Sequence, residues 1–181
     1  MYKNNNGNPA KNRFYCIWVR TGSEEEYIKE IEKILCSENS PLNGKLYFFK
    51  KQMQLKTGKN YVEPLFAGYV FFETNGDENY FYLLRRGKGF ISVLPKNDCI
   101  QMLGTSDFEI VKSILQYGCT IPIVHVDFDK DEKILLLDGP FKDMSGKVKD
   151  VNRRNRRVNI QVEFMNGIRM VGLTYEKVQK A

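Results

Sequence analysis

Apolar and polar residues follow two rhythms along the chain. In the first, strand-like runs alternate with helical spacing. Residues 14–20, F-Y-C-I-W-V-R, are apolar and β-branched enough for a strand, and Thr21-Gly22-Ser23 ends it. Ser23 with Glu26 three residues on has the form of a capping box. Tyr27, Ile28, Ile31, Ile34 and Leu35 then recur at helical spacing, predicting an amphipathic helix to about Cys36 with Glu24, Glu25 and Glu26 in its first turn. Residues 45–54 read as a strand. Residues 62–73 read as another, with Pro64 near its start and a bend at Ala67-Gly68. A short helix over 80–85 and a short strand over 90–94 follow. A longer helix runs through Tyr117, capped by Ser106, with Phe108, Ile110, Val111, Ile114 and Leu115 as its apolar face. This order predicts a sheet covered by helices.

The second rhythm is all β. Residues 122–131 turn acidic and irregular and read as a linker. Short strand segments then come at 133–137, 146–151, 158–164, 168–172 and near Val178, with Gly or Asn between several of them. Five short strands in so few residues predict a small barrel. The expected fold class is α+β. The division is a disordered polar tail over 1–12, an N-terminal domain over 13–121, the linker over 122–131 and a C-terminal domain over 132–181.

Charge sharpens this division. From Glu132 onward there are 11 Lys and Arg against 6 Asp and Glu, whereas the residues before it hold 17 against 16. Four of those cations stand together in Arg153-Arg154-Asn155-Arg156-Arg157, between two strand segments. Guanidinium groups on a tight loop suit phosphates, and a solvated hairpin tip is the alternative. The rest of the composition excludes more than it suggests. The Asn-rich start lacks the apolar core of a secretory signal, and no apolar run reaches membrane-spanning length. Cys16, Cys36, Cys99 and Cys119 are widely spaced, so zinc spacing is absent and buried reduced thiols are expected. The single histidine, His125, stands beside Asp127 and Asp129 in a linker composition rather than a catalytic triad. Asp127-x-Asp129-x-Asp131 lacks the glycine and final glutamate of a calcium loop, and Gly87-x-Gly89 is too short for a nucleotide loop. No catalytic residue, metal site or cofactor is expected, and the chain does not read as an enzyme.

Two motifs in one order carry a resemblance. Pro64-Leu65-Phe66-Ala67-Gly68-Tyr69-Val70-Phe71-Phe72 is similar to the central strand of the N-terminal (NGN) domain of the NusG family of transcription elongation factors. Asp138-Gly139-Pro140-Phe141, followed by Gly146-Lys147-Val148, resembles the opening of that family's C-terminal KOW domain. Residues 14–20 are similar to the family's first strand. The resemblance implies an antiparallel NGN sheet flanked by helices and a five-stranded SH3-like KOW barrel. It also implies a cytoplasmic monomer whose NGN domain docks on the clamp coiled coil of RNA polymerase, with non-template DNA as a further partner. The matching docking positions are Trp18, Leu65, Phe66, Tyr69 and Phe90, of which Phe90 matches least well. Alternation places Phe66 with Val70 on one face and Leu65 with Tyr69 on the other, so that at least one face is core.

The chain also departs from housekeeping members. They carry an acidic hairpin where this chain has Asn152-Arg153-Arg154-Asn155-Arg156-Arg157, and a Phe-Gly-Arg turn where it has Met165-Asn166-Gly167 with Arg169 beyond. The second change tells against coupling to the ribosome or to Rho, although Met can substitute in part as a soft apolar contact. Both changes resemble a specialised paralogue, most like the LoaP antiterminators, which recognise an RNA hairpin in a leader transcript. The candidate RNA contacts are Arg153, Arg154, Arg156 and Arg157, with Lys147, Lys149 and Arg169 in support. Asn152 and Asn155 serve either the RNA or the turn itself. A housekeeping NusG and a ribosome-associated KOW protein are the alternative readings.

Overall fold

The computed structural model describes residues 12–37, 39–95 and 100–178. The tail expected over 1–12 lies, apart from Asn12, outside the described residues, as does Cys99. In chain order the strands and helices are β1 (Arg13–Val19), α1 (Glu24–Leu35), β2 (Lys45–Tyr47), β3 (Lys50–Gln54), β4 (Asn60–Pro64), β5 (Tyr69–Thr74), β6 (Phe90–Leu94), α2 (Thr105–Leu115), β7 (Thr120–Ile121), β8 (Val124–Phe128), β9 (Ile134–Leu136), β10 (Val148–Asn152), β11 (Arg157–Phe164) and β12 (Gly167–Lys177). Short 3-10 segments lie at Glu78–Arg86, Lys142–Lys147 and Arg153–Asn155. The fold is α+β, and the chain forms two compact units: Met1–Phe48 with Ala67–Gly104, and Phe49–Phe66 with Thr105–Ala181.

In the first unit an antiparallel sheet runs in the order β2-β5-β1-β6. Alternation along β1 sends Tyr15, Ile17 and Val19 to one face, where Val70 and Phe72 of β5 join them against Tyr27 and Ile31 of α1. Phe81 and Leu84 of the 3-10 segment close this core, and the buried Tyr27 hydroxyl donates to Leu84 O at 2.9 Å. Burial is the sole cause that pushes the Tyr27 phenol above its usual range.

The expected capping box is not formed. Ser23 is the N-cap residue of α1 but its side chain makes no capping bond. Glu26 instead takes a bond from Lys88 Nζ at 2.8 Å. The neighbouring Glu24 takes over the polar work at this end. Only 3% exposed, its carboxylate accepts from Gly22 N and from Gly68 N, each at 2.7 Å. Gly68 is left-handed at φ +82°, and a Cβ there would come within 3.1 Å of Val19 O. That turn breaks the strand expected over 62–73 into β4 and β5, which belong to different units. The strand expected over 45–54 is likewise divided, at Phe48-Phe49.

The second unit holds a five-stranded sheet, β10-β11-β12-β8-β9, and a three-stranded sheet, β4-β3-β7. The residues read as a linker contain β8. It pairs parallel to β12 through Tyr175↔Val124, Glu176↔His125 and Lys177↔Val126, and antiparallel to β9. Val124 and Val126 are buried while His125 between them is exposed, so the polar residues that made this stretch look like a linker are the outward set of an alternating strand. The two last expected strands, 168–172 and one near Val178, are instead the single strand β12, paired along β11 from Arg157↔Thr174 to Phe164↔Gly167. Val158, Ile160, Val162 and Phe164 of β11 and Val171, Leu173 and Tyr175 of β12 supply much of the core. The β3–β4 hairpin packs on it. Lys51 Nζ donates to Gly172 O at 2.8 Å, and the Phe66 ring stacks on Phe164 at 4.6 Å between centroids.

Candidate nucleic-acid interface

The arginine run caps the β10–β11 hairpin. Asn152 Oδ1 accepts from Asn155 N at 3.0 Å, which starts a 3-10 turn at Arg153, and Arg156 follows in the left-handed region at φ +50°. Asn152 thus serves the turn. The four arginines end in four different environments.

Arg153 meets Glu132 Oε2 at 3.0 Å and lies over the Phe128 ring, 4.8 Å from its centroid. Both members of this ion pair are more than half exposed, so water and salt screen it. Arg154 is exposed and has no hydrogen-bond or ion-pair partner among the described residues. Arg156 donates to Gln54 Oε1 at 2.8 Å. Arg157, half-buried, donates to Thr174 Oγ1 at 2.8 Å, Gln54 O at 3.0 Å and Tyr61 Oη at 3.1 Å, with Met53 Sδ at 2.9 Å. Arg157 is therefore a pin between β11 and the β3–β4 hairpin, and its guanidinium is the least available of the four. Its partners are all neutral, so its charge is solvated but not cancelled. The effect is felt at Lys51, whose ammonium is held below its usual value by burial, with Glu63 opposing and Arg157 adding to the shift.

Beside this turn lies a cleft of about 420 Å3 lined by residues 54–56 and 154–157. Arg154, Arg156, Arg157 and Lys56 share it, and among the described residues no carboxylate lines it. The sequence by itself does not single out Lys56. The basic turn Lys56-Thr57-Gly58-Lys59 was visible in sequence, but nothing there linked it to a loop nearly a hundred positions later.

The other expected RNA contacts are placed differently. Lys147 lies 3.9 Å from Glu163 Oε1, and Arg169 is opposite Val162 in the β11–β12 register. The arginine turn meets that register at Arg157↔Thr174, five residues along β11, a separation of about 17 Å at strand rise. Lys147 and Arg169 thus gather at the far end of the sheet. Lys149 is exposed in β10, with no ion-pair or hydrogen-bond partner among the described residues.

The expected docking residues also separate. In the first unit Trp18 is 38% exposed and stands opposite Tyr69, which is half-buried, and Ser92 in the register. Phe90, half-buried, turns toward the core and stacks on Tyr27 at 6.4 Å. Leu65 and Phe66 are buried in the second unit, at 7% and 6% exposure. The expected alternation of Phe66 with Val70 does not arise, because the Gly68 turn lies between them. His125 pairs with Asp138, Nδ1 to Oδ2 at 2.6 Å, and the hydrogen bond and charge of that carboxylate raise the imidazole above its usual value. Among the described residues no group of three or more His, Cys, Asp or Glu could hold a metal ion, and no helix is long and apolar enough to cross a membrane.

Comparison with known proteins agrees with this architecture. The transcription termination/antitermination protein NusG of Neisseria meningitidis is 22% identical over 175 residues, covering 93% of this chain and 97% of that protein. The protein of the same name from Buchnera aphidicola subsp. Baizongia pistaciae is 26% identical over 190 aligned residues, covering 99% of each. A solved structure described as domain interaction in Thermotoga maritima NusG shares the fold, with a TM-score of 0.56 at 18% identity over 91% of this chain and 94% of that one. Residues 12–112, more than half of the chain, match the family described as NusG, transcription termination factor, and the chain belongs to that family.

Proposed function

We propose that this chain is a specialised NusG paralogue of the LoaP kind. It docks on RNA polymerase through its first unit, suppresses pausing and termination, and grips an RNA hairpin through the β10–β11 turn. The observation that carries this reading is the state of the four arginines. Among the described residues, Arg153 alone of the four faces a carboxylate, and that pair is exposed. Arg154 stands in solvent without a partner among the described residues. A loop built for solubility alone has no need to be ordered by an Asn152 cap and pinned through Arg157. Folded RNA is recognised largely by shape, phosphate and groove contacts, which an ordered cationic tip supplies.

On the polymerase side, Trp18 and the half-buried Tyr69 form the accessible part of the expected docking set. Aromatic side chains bury much area with few rotors, which suits them to anchor an interface.

The test uses the whole chain, because a fragment beginning at Lys130 would lack β8. Candidate leader hairpins are titrated at several salt concentrations, and binding to polymerase core is measured in parallel. About four phosphate contacts give a log–log salt slope near −3. A flat salt response, or unchanged affinity when Arg153, Arg154 and Arg156 are all replaced by Ala, removes the turn from the mechanism. Tight binding to a ribosomal protein or Rho without RNA binding would favour a housekeeping role. RNA binding without polymerase binding would favour a ribosome-associated one.

A further inference from the structure

We infer that the phosphate site is a composite of two loops far apart in sequence. The β3–β4 turn contributes Lys56 beside Arg154 and Arg156, and the ligand of the cleft between them is the sugar-phosphate backbone of folded RNA. The inference rests on the RNA-binding reading above and adds the second loop to it.

The first support is how the two loops are fixed. Arg156 Nη2 holds the Gln54 side chain at 2.8 Å and Arg157 Nη2 holds the Gln54 carbonyl at 3.0 Å, so the residue two positions before Lys56 is tied to the arginine turn twice. The β3–β4 turn is itself closed by Leu55 N to Lys59 O and Gly58 N to Leu55 O, both at 2.9 Å. Cations presented on loops that are already ordered lose less freedom on binding than free side chains do.

The second support is the character of the cleft. At about 420 Å3 it is large enough for a ligand of several groups, yet its wall is cationic and open to solvent. That lining suits a polyanion. Among the described residues, Lys56 and Arg154 have no hydrogen-bond or ion-pair partner and no acidic side chain lines the cleft to compete for them. Leu55, 46% exposed, adds an apolar wall for a sugar or base face.

The test measures fluorescence anisotropy of a labelled, fully paired RNA stem-loop with a UUCG cap, titrated with the full chain across a salt series. Lys56→Ala should weaken binding about fivefold near 0.15 M salt and lower the magnitude of the log–log slope by about 0.7–0.9, as one lost phosphate contact does. Arg154→Ala should do the same. Lys29→Ala on α1, which removes an equal charge from the other unit, should leave both quantities unchanged. If Arg154→Ala weakens binding while Lys56→Ala matches the parent, the composite site is wrong and the RNA-binding reading stands. If the parent chain binds a leader hairpin but not this stem-loop, the backbone site is wrong; if it binds neither, the RNA-binding reading fails with it. Displacement of the RNA by inorganic tripolyphosphate at equal phosphate concentration would overturn the choice of RNA backbone as ligand.

Discussion

In each unit a charged side chain is drawn out of bulk water against neutral dipoles, and the two cases serve different ends. In the first unit the anion is Glu24, which meets the amides of Gly22 and Gly68. In the second the cation is Arg157, which meets a carbonyl, two hydroxyls and a thioether sulfur. Neutral dipoles stabilise a charge without cancelling it. The anion sits at the first turn of α1, where the helix dipole already favours it, and its work is local: it fixes the chain reversal before β5. The cation sits at the edge of a cleft that holds three more cations, so its uncancelled field adds to theirs. Membership of a charge run therefore says little about a residue's role. Arg154 and Arg157 are three positions apart in one run, yet the first has no partner among the described residues and the second is a structural pin.

Replacement of Glu24 should have the largest effect. Glu24→Ala strands the buried Gly68 amide and should cost about 2–4 kcal/mol, the range for losing charged hydrogen bonds and leaving a buried donor unsatisfied. Hydrogen exchange of peptides spanning Gly22 and Gly68 should rise with the loss. Unchanged exchange there would mean that the carboxylate is not what holds the turn. Arg157→Ala should come next, at about 1–3 kcal/mol, since it removes the contacts to Thr174, Gln54, Tyr61 and Met53 inside the second unit. Arg154→Ala, compared with Arg157→Ala by denaturant titration, should stay within about 0.5 kcal/mol. Equal losses for the two arginines would erase the distinction drawn between them.

A small, pH-dependent effect concerns His125 and Asp138. The folded imidazole titrates above its unfolded value, so the pair stabilises fully below the unfolded pKa, near 6.5, and the contribution fades as pH rises through the folded value. Because the pair is about half exposed, the difference between parent and His125→Ala should stay below about 1 kcal/mol at pH 5.5 and shrink as the pH rises. A difference that grows with pH would reverse the sign of the coupling.

Much of this was legible from local pattern. Residues that pack α1 against β1 repeat at helical and strand spacing, so helix and strand were both placed within about two residues of their observed ends. The cluster of arginines on a turn between strands was equally plain. What escaped has one cause: the deciding partner lies far away in sequence. Residues 122–131 look acidic and irregular until Val124 and Val126 find β12 some fifty positions later. Residues 62–73 look like one strand until the Glu24 carboxylate and a left-handed Gly68 divide it.

The amino-acid sequence alone determined the class of fold, the family, the helices and most strands, and the presence of a basic turn, because these follow from periodicity and motifs within short windows. Only tertiary structure decided that Arg157 is a pin, that Phe66 stacks inward on Phe164, that Lys147 and Arg169 lie at the other end of the sheet, and that Lys56 joins the arginine turn. A side chain's chemistry is written in its own residue, but its availability depends on which distant groups desolvate it or satisfy its hydrogen bonds.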